Sequence, residues 1–155
     1  MNVIDGQKLL QRLPRVHGRL EANAPLVDLT WFRVGGPAEV LFQPADEADL
    51  GDFLKGTPGG VPIIVVGVGS NLLVRDGGVP GVVIRLGRPF MDVVPEGEMQ
   101  LRVGTAALAG RVARVAADHG IYAFTFLIGI PCTIAVPLRC HRVASRRDTP
   151  ARFFR

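Results

Sequence analysis

At 155 residues, with 48% hydrophobic and 21% charged residues, the chain has material for one domain with a real core and is too apolar to be disordered. No apolar run reaches the roughly 18 to 20 residues a membrane span requires, and the opening MNVIDGQKLLQRLPRVHGRL mixes charges with Leu, unlike a secretory leader. The net charge of +4 suggests a polyanionic partner until it is located: Arg139 to Arg155 holds six Arg and one Asp, so residues 1–138 carry −1.

A basic tail of that kind binds polyanions without specificity, so no specific nucleic-acid partner is expected. Cys132 and Cys140, with seven residues between them, form neither a disulfide framework nor a zinc pattern. A cytoplasmic protein with reduced thiols is the expectation, with no membrane partner.

In chain order, Asp5 is placed to cap a short amphipathic helix carrying Leu9, Leu10 and Leu13, which Pro14 ends or bends. The stretch from Asn23 to Pro44 is expected to be extended chain and strand, interrupted at Gly35-Gly36-Pro37. Asp46 precedes EADLGDFLK, a helix of about two turns, and Thr57-Pro58-Gly59-Gly60 forces a turn. VPIIVV, residues 61–66, is a continuous β-branched run of the kind found in strands buried on both faces, and completes a βαβ-like unit. Further strands are expected at Val82–Leu86 and Met99–Val103. AALAGRVARVAADHG reads as a helix with Leu108, Val112, Val115 and Ala116 on one face and Gly120 just past its end. The fold class is α+β.

The stretch with most chemical content is Gly67-Val68-Gly69-Ser70-Asn71-Leu72, directly after the β-branched run. Its glycines let backbone N–H groups approach a ligand closely, and Ser70 and Asn71 add side-chain donors, which suits a pyrophosphate. A Gly-x-Gly after a strand is more often simple turn geometry, and this one lacks the third glycine and following helix of a Rossmann fingerprint. Gly129-Ile130-Pro131 could hold backbone groups against a flat ring, or could be a plain loop. His17, His119 and His141 lie far apart without acidic partners at metal-ligand spacing, and His119 reads as a surface residue near a helix end. No catalytic triad or pair of carboxylates can be proposed. Composition and spacing alone therefore stop at a soluble α+β domain that binds a phosphate-bearing ligand, or a basic interaction protein working through its tail.

Several segments in the right order go further. Asn23-Ala24-Pro25-Leu26 with Thr30-Trp31-Phe32-Arg33-Val34-Gly35-Gly36-Pro37-Ala38 resembles the opening signature of the UDP-N-acetylenolpyruvoylglucosamine reductases. Gly67 to Asp76 resembles their pyrophosphate loop, Gly81 to Leu86 the strand after it, and Phe126-Leu127 with Gly129-Ile130-Pro131 and Thr133 the segment that faces the flavin. The resemblance covers about residues 20–134. It implies a vanillyl-alcohol-oxidase-like (PCMH-type) FAD-binding domain of two small α+β subdomains, incomplete in this chain. It implies FAD as cofactor, NADPH as reductant in the intact enzyme, and reduction of the enolpyruvyl group of a UDP-sugar to give UDP-N-acetylmuramate for peptidoglycan. Carried over by position, Gly67, Val68, Gly69, Ser70, Asn71 and Leu72 would hold the pyrophosphate. Gly129, Ile130, Pro131 and Thr133 would approach the flavin, Arg33, Gly35 and Gly36 would support the pocket, and Gly104 would lie near it.

The pattern also breaks. Cys132 stands where the family has glycine, Thr125 where it has an acidic residue, and Ala135-Val136 where it has a glycine pair. The division expected is 1–134 for the FAD domain and 135–155 for an unmatched Arg-rich tail. Such a tail is what a shifted reading frame in a GC-rich gene produces, and an intact frame at the locus would refute that origin. The family's catalytic Arg, Ser and Glu fall beyond Ile134, so no catalytic residue is assigned and Arg139 and Ser145 are not put in those roles. The alternative is a non-catalytic flavin or nucleotide module; a flavin oxidase is disfavoured because its covalent-attachment histidine has no counterpart.

Overall fold

The structure, a computed structural model, describes residues 5–135. The expectations for residues 136–155, including the unmatched tail, lie outside the described residues. The chain divides at residue 90 into two compact units, each described by itself.

The first unit is a four-stranded mixed sheet. Helix α1 (Gly6–Leu10) starts as expected at Asp5, whose side chain accepts from the Lys8 N–H at 3.2 Å. Strand β1 (Arg19–Pro25) runs antiparallel to β2 (Pro37–Gln43). Between them the chain is not extended. Val27–Leu29 form a 3-10 turn, and Thr30 to Arg33 close a further turn through the Arg33 N–H and Thr30 carbonyl at 3.2 Å.

Helix α2 (Glu47–Gly56) is capped by Asp46, which accepts from the Asp49 N–H at 2.8 Å. Strands β3 (Ile63–Val66) and β4 (Val79–Arg85) follow, giving the order β1-β2-β4-β3 with β2 and β3 both parallel to β4. The βαβ-like unit is thus present in sequence order, but β4 inserts between its two strands.

Alternation along β2 and β4 separates two cores. Val40, Phe42, Val82 and Ile84 meet Leu9 of α1 and Phe53 of α2, and the Phe42 and Phe53 rings lie 4.1 Å apart between centroids. On the other face Leu41 and Val83 pack with Ala24, Leu26, Ala38 and Val74. β2 and β4 are therefore the strands buried on both faces.

That corrects the reading of residues 61–66. β3 forms the outer edge, with Ile63, Ile64 and Val65 exposed at 37%, 44% and 49%. β-Branched residues favour the strand conformation, but position in the sheet decides whether it is covered.

One buried carboxylate braces this unit. Asp49, in the first turn of α2, accepts from the N–H groups of His17 at 2.7 Å, Gly18 at 2.9 Å and Ala45 at 3.0 Å. Burial pushes its carboxyl up, but the three N–H donors and the nearby His17 outweigh this and hold it below the ordinary value of 3.8.

The second unit holds the antiparallel pair β5 (Val93–Pro95) and β6 (Leu101–Val103), helix α3 (Ala109–Asp118) and a 3-10 helix at Tyr122–Leu127. β5 is too short to announce itself in the sequence, and β6 starts two residues later than expected. α3 buries Ala109, Val112, Ala113 and Ala116. Its end is as expected: the Ile121 N–H reaches the Ala116 carbonyl at 2.8 Å and the Gly120 N–H the Ala117 carbonyl at 2.9 Å, a Schellman arrangement.

Leu108 is a correction. It precedes the helix in extended conformation, is 48% exposed, and bridges Thr133 instead of facing the core. Among the described residues no helix is long and apolar enough to cross a membrane.

Candidate functional site

The loop after β3 is built by close contact with the segment between β1 and β2. Gly69 has φ +64, and a Cβ there would run into the Leu29 carbonyl and stand 3.0 Å from the Thr30 Cα. Its own carbonyl accepts from the Trp31 N–H at 3.1 Å. No residue with a side chain fits this position in its present form.

The contact continues along the return to β4. The Gly36 N–H donates to the Arg75 carbonyl at 3.0 Å, Gly35 packs against Val74, and a Cβ on Gly36 would meet the Asp76 carbonyl and, at 2.5 Å, the Gly78 nitrogen. Arg33, Gly35 and Gly36 are thus brought against the loop that Gly67 to Leu72 begins. Arg33 itself takes φ +51, an uncommon conformation for a residue with a side chain.

These loops enclose a cleft of about 490 Å³ lined by Asp28, Leu29, Thr30, Trp31, Arg33, Val68 and Arg85. Three kinds of donor lie on it or next to it in the chain. Among the described residues, the N–H of Val68, on the lining, and those of Gly69, Ser70 and Asn71, which follow it, donate to no protein acceptor. Arg33 and Arg85 take part in no ion pair among the described residues.

The third donor is Thr30, 4% exposed, whose Oγ1 has no hydrogen-bond partner among the described residues. A buried hydroxyl left unpaired costs about 1–3 kcal/mol, so an unpaired one invites a ligand. Such a surface accepts an anion rich in acceptor oxygens. Trp31, 64% exposed, adds an aromatic face at the rim.

Sequence reasoning had Thr30, Trp31 and Arg85 in motifs but not in the site, and it missed Asp28 and Leu29 altogether. Arg85 had a signal, a cation at the C-terminal end of a strand beside the glycine loop. Asp28 and Leu29 had none, because only the folding of the β1–β2 connection over the sheet brings them there.

The remaining predicted residues lie in the second unit. The Gly104 N–H donates to the Asp92 carbonyl at 2.7 Å, and its carbonyl accepts from the Ala107 N–H at 3.0 Å, so it forms a turn before α3. Gly129 has φ +88 with open space around it. Gly129 and Pro131 are exposed, Ile130 is half-buried and Thr133 is 4% exposed.

Residues 132–135 run antiparallel across 105–109. The Ala109 N–H donates to the Cys132 carbonyl, Ile134 to Ala107 and Ala135 to Thr105, all at 2.9–3.0 Å. Thr133 and the Gly104 turn therefore share one strip of backbone at the start of α3, whereas Gly129 and Pro131 extend beyond it.

Three comparisons bear on these two units. The family described as "FAD binding domain" matches residues 38–136. The UDP-N-acetylenolpyruvoylglucosamine reductase of Parvibaculum lavamentivorans is 57% identical over 141 residues, which is 91% of this chain and 45% of that protein. The enzyme of the same name from Rhodospirillum rubrum is 55% identical over 140 residues, 90% of this chain and 44% of that one. Among solved structures, the UDP-N-acetylenolpyruvylglucosamine reductase of Thermus caldophilus superposes with a TM-score of 0.57 at 32% identity, covering 77% of this chain and 40% of that one.

The chain thus spans a little under half the length of the curated relatives it matches. By the extent of these matches the chain belongs to the FAD-binding-domain family, and over most of its length it is similar to a part of the UDP-N-acetylenolpyruvoylglucosamine reductases.

Proposed function

We propose that this chain holds FAD, with the cofactor's diphosphate on the loop Gly67 to Leu72. In the longer protein this would serve reduction of UDP-N-acetylenolpyruvoylglucosamine to UDP-N-acetylmuramate by NADPH for peptidoglycan synthesis. The observation that carries the reading is the glycine loop pressed against Leu29 and Trp31: Val68 of that loop, Thr30 with its unpaired hydroxyl, and two arginines line one cleft, and the free N–H groups of Gly69 to Asn71 follow Val68 in the chain. This donor set fits a diphosphate, whose oxygens only accept.

Bound FAD supplies a ring that takes hydride from a nicotinamide and gives it to a carbon–carbon double bond. The chain's own residues bind and orient. Val68 to Asn71 grip the diphosphate through N–H groups, and Ser70 and Asn71 add side-chain donors. Arg33 and Arg85 offset its charge, and Arg33, Gly35 and Gly36 keep the loop in place.

In the second unit Gly129, Ile130, Pro131 and Thr133, with the Gly104 turn, would meet the flavin end. Residues 1–134 are read as the cofactor-binding portion and 135–155 as sequence outside the family pattern. With no residue assigned to proton donation, the 155-residue polypeptide binds cofactor without reducing the UDP-sugar. Its place of action would be the cytoplasm, where UDP-sugars and NADPH are available.

A FAD titration of the purified chain, read by flavin fluorescence and thermal melting, tests this. Saturable binding should raise Tm, since a ligand at about 100 times its Kd stabilises the folded state by about 2.7 kcal/mol. A melt indifferent to FAD would refute it, and NADPH oxidation dependent on the UDP-sugar would refute the inactivity of the chain alone.

A further inference from the structure

We propose that the Thr30 hydroxyl is a cofactor-positioning donor: it hydrogen-bonds a phosphate oxygen of the dinucleotide held against Gly69. The inference rests on the FAD-diphosphate reading above and adds to it a residue outside the glycine loop.

Thr30 sits where two independent contacts meet. Leu29 presents its carbonyl to Gly69, and Trp31 donates its N–H to the Gly69 carbonyl at 3.1 Å. The residue between them is therefore held beside a glycine whose missing Cβ lets the chains approach. Thr30 lines the same cleft as Val68, Arg33 and Arg85.

Its Oγ1 is the one buried side-chain polar atom without a hydrogen-bond partner among the described residues. By contrast Asp49, the other buried polar residue described in this unit, is satisfied by three N–H donors. A hydroxyl can donate as well as accept; the same lining holds the Val68 N–H and the Arg33 and Arg85 guanidiniums, which only donate, and one acidic side chain, Asp28, outnumbered by the two arginines. An acceptor-only ligand satisfies the hydroxyl, the N–H and the guanidiniums together. Had position 30 served packing alone, Val would fill it without the cost of burying a hydroxyl.

The test pairs Thr30→Val, which removes the hydroxyl, with Thr30→Ser, which keeps it. Each is compared with the wild-type chain for FAD binding by fluorescence, ADP binding by calorimetry, and Tm without ligand. Thr30→Val is expected to leave the ligand-free Tm unchanged or higher. It should weaken FAD and ADP alike by roughly tenfold or more, the size of one hydrogen bond to a charged group. Thr30→Ser should stay near wild-type affinity.

A Thr30→Val protein that binds both ligands as tightly as wild type overturns the inference and leaves the FAD reading standing. So does a Thr30→Ser protein weakened as much as Thr30→Val, because the methyl would then matter and not the hydroxyl. That second comparison can be made with Thr30→Ala if Thr30→Val does not fold. Wild-type binding of ADP but not FAD, weakened in Thr30→Val, supports the inference and overturns the flavin reading. Wild-type binding of neither overturns both.

Discussion

The two glycine-bearing segments expected to meet the cofactor are held in different ways. Gly69 needs both a positive φ and the absence of a Cβ, because the Leu29 carbonyl occupies the place a side chain would take. Gly129 needs only the angle: its φ is +88 and nothing lies within 4 Å of an added Cβ. The first is locked by a second stretch of chain, and the second is anchored through buried neighbours on either side of it, Leu127 before and Cys132 to Ile134 after. A glycine in a turn can thus record a tertiary contact or merely a bend, and the sequence around it does not say which.

Substitution separates the two. Gly69→Ala combines a strained φ with a clash against backbone, and is expected to cost about 2–5 kcal/mol. Thermal melting should show it as the largest loss in this set, with FAD binding abolished. A melt within a degree or two of wild type would mean the loops move apart freely.

Asp49→Ala attacks the frame behind the first loop without touching the loop itself. It leaves three N–H groups without their acceptor and is expected to cost about 2–4 kcal/mol. Because the folded carboxyl titrates below the ordinary value of 3.8, its contribution is complete at neutral pH. It fades as pH falls below about 4 towards the lowered folded value. Urea melts of wild type between pH 6 and pH 3 should show this loss, and Asp49→Asn should flatten it; equal slopes for both would refute the assignment.

Gly129→Ala meets only the strain of a left-handed residue, about 1 kcal/mol. Its Tm should drop slightly and its FAD affinity should fall less than in Gly69→Ala. The reverse ranking would make the second segment the tighter one.

Ile64→Lys changes the exposed outer strand β3 and no site contact. Stability should change by less than about 0.5 kcal/mol, while the aggregated fraction in light scattering should fall, since a lysine on a free edge blocks strand pairing. Unchanged aggregation would mean the edge is not the sticky surface.

Much of the local structure was legible in the sequence. Asp5 and Asp46 start their helices because a short carboxylate can reach an N–H of the first turn, a matter of three residues. Gly120 ends α3 because its φ of +74 is cheap for glycine. The strand expected at Val82–Leu86 is present as β4, which begins three residues earlier and ends one earlier. Errors arose where distant chain decides. VPIIVV has the composition of a buried strand, yet β4 takes the central place and leaves Ile63 to Val65 exposed. Leu108 fits the apolar face of a helix, yet its backbone is committed to Thr133.

By itself the sequence determined the short-range features: caps, turns, the strand propensity of each run and, through the order of its motifs, the family. These follow from interactions across a few residues, which any fold must respect. The tertiary structure alone decided which strand lies at the edge and how Asp49 braces three separated N–H groups. It also decided that Thr30, Arg33 and Arg85 share a cleft with Val68. Those depend on which segments meet across the sheet, where the gain from burying Phe42, Phe53 and Val83 outweighs local preference.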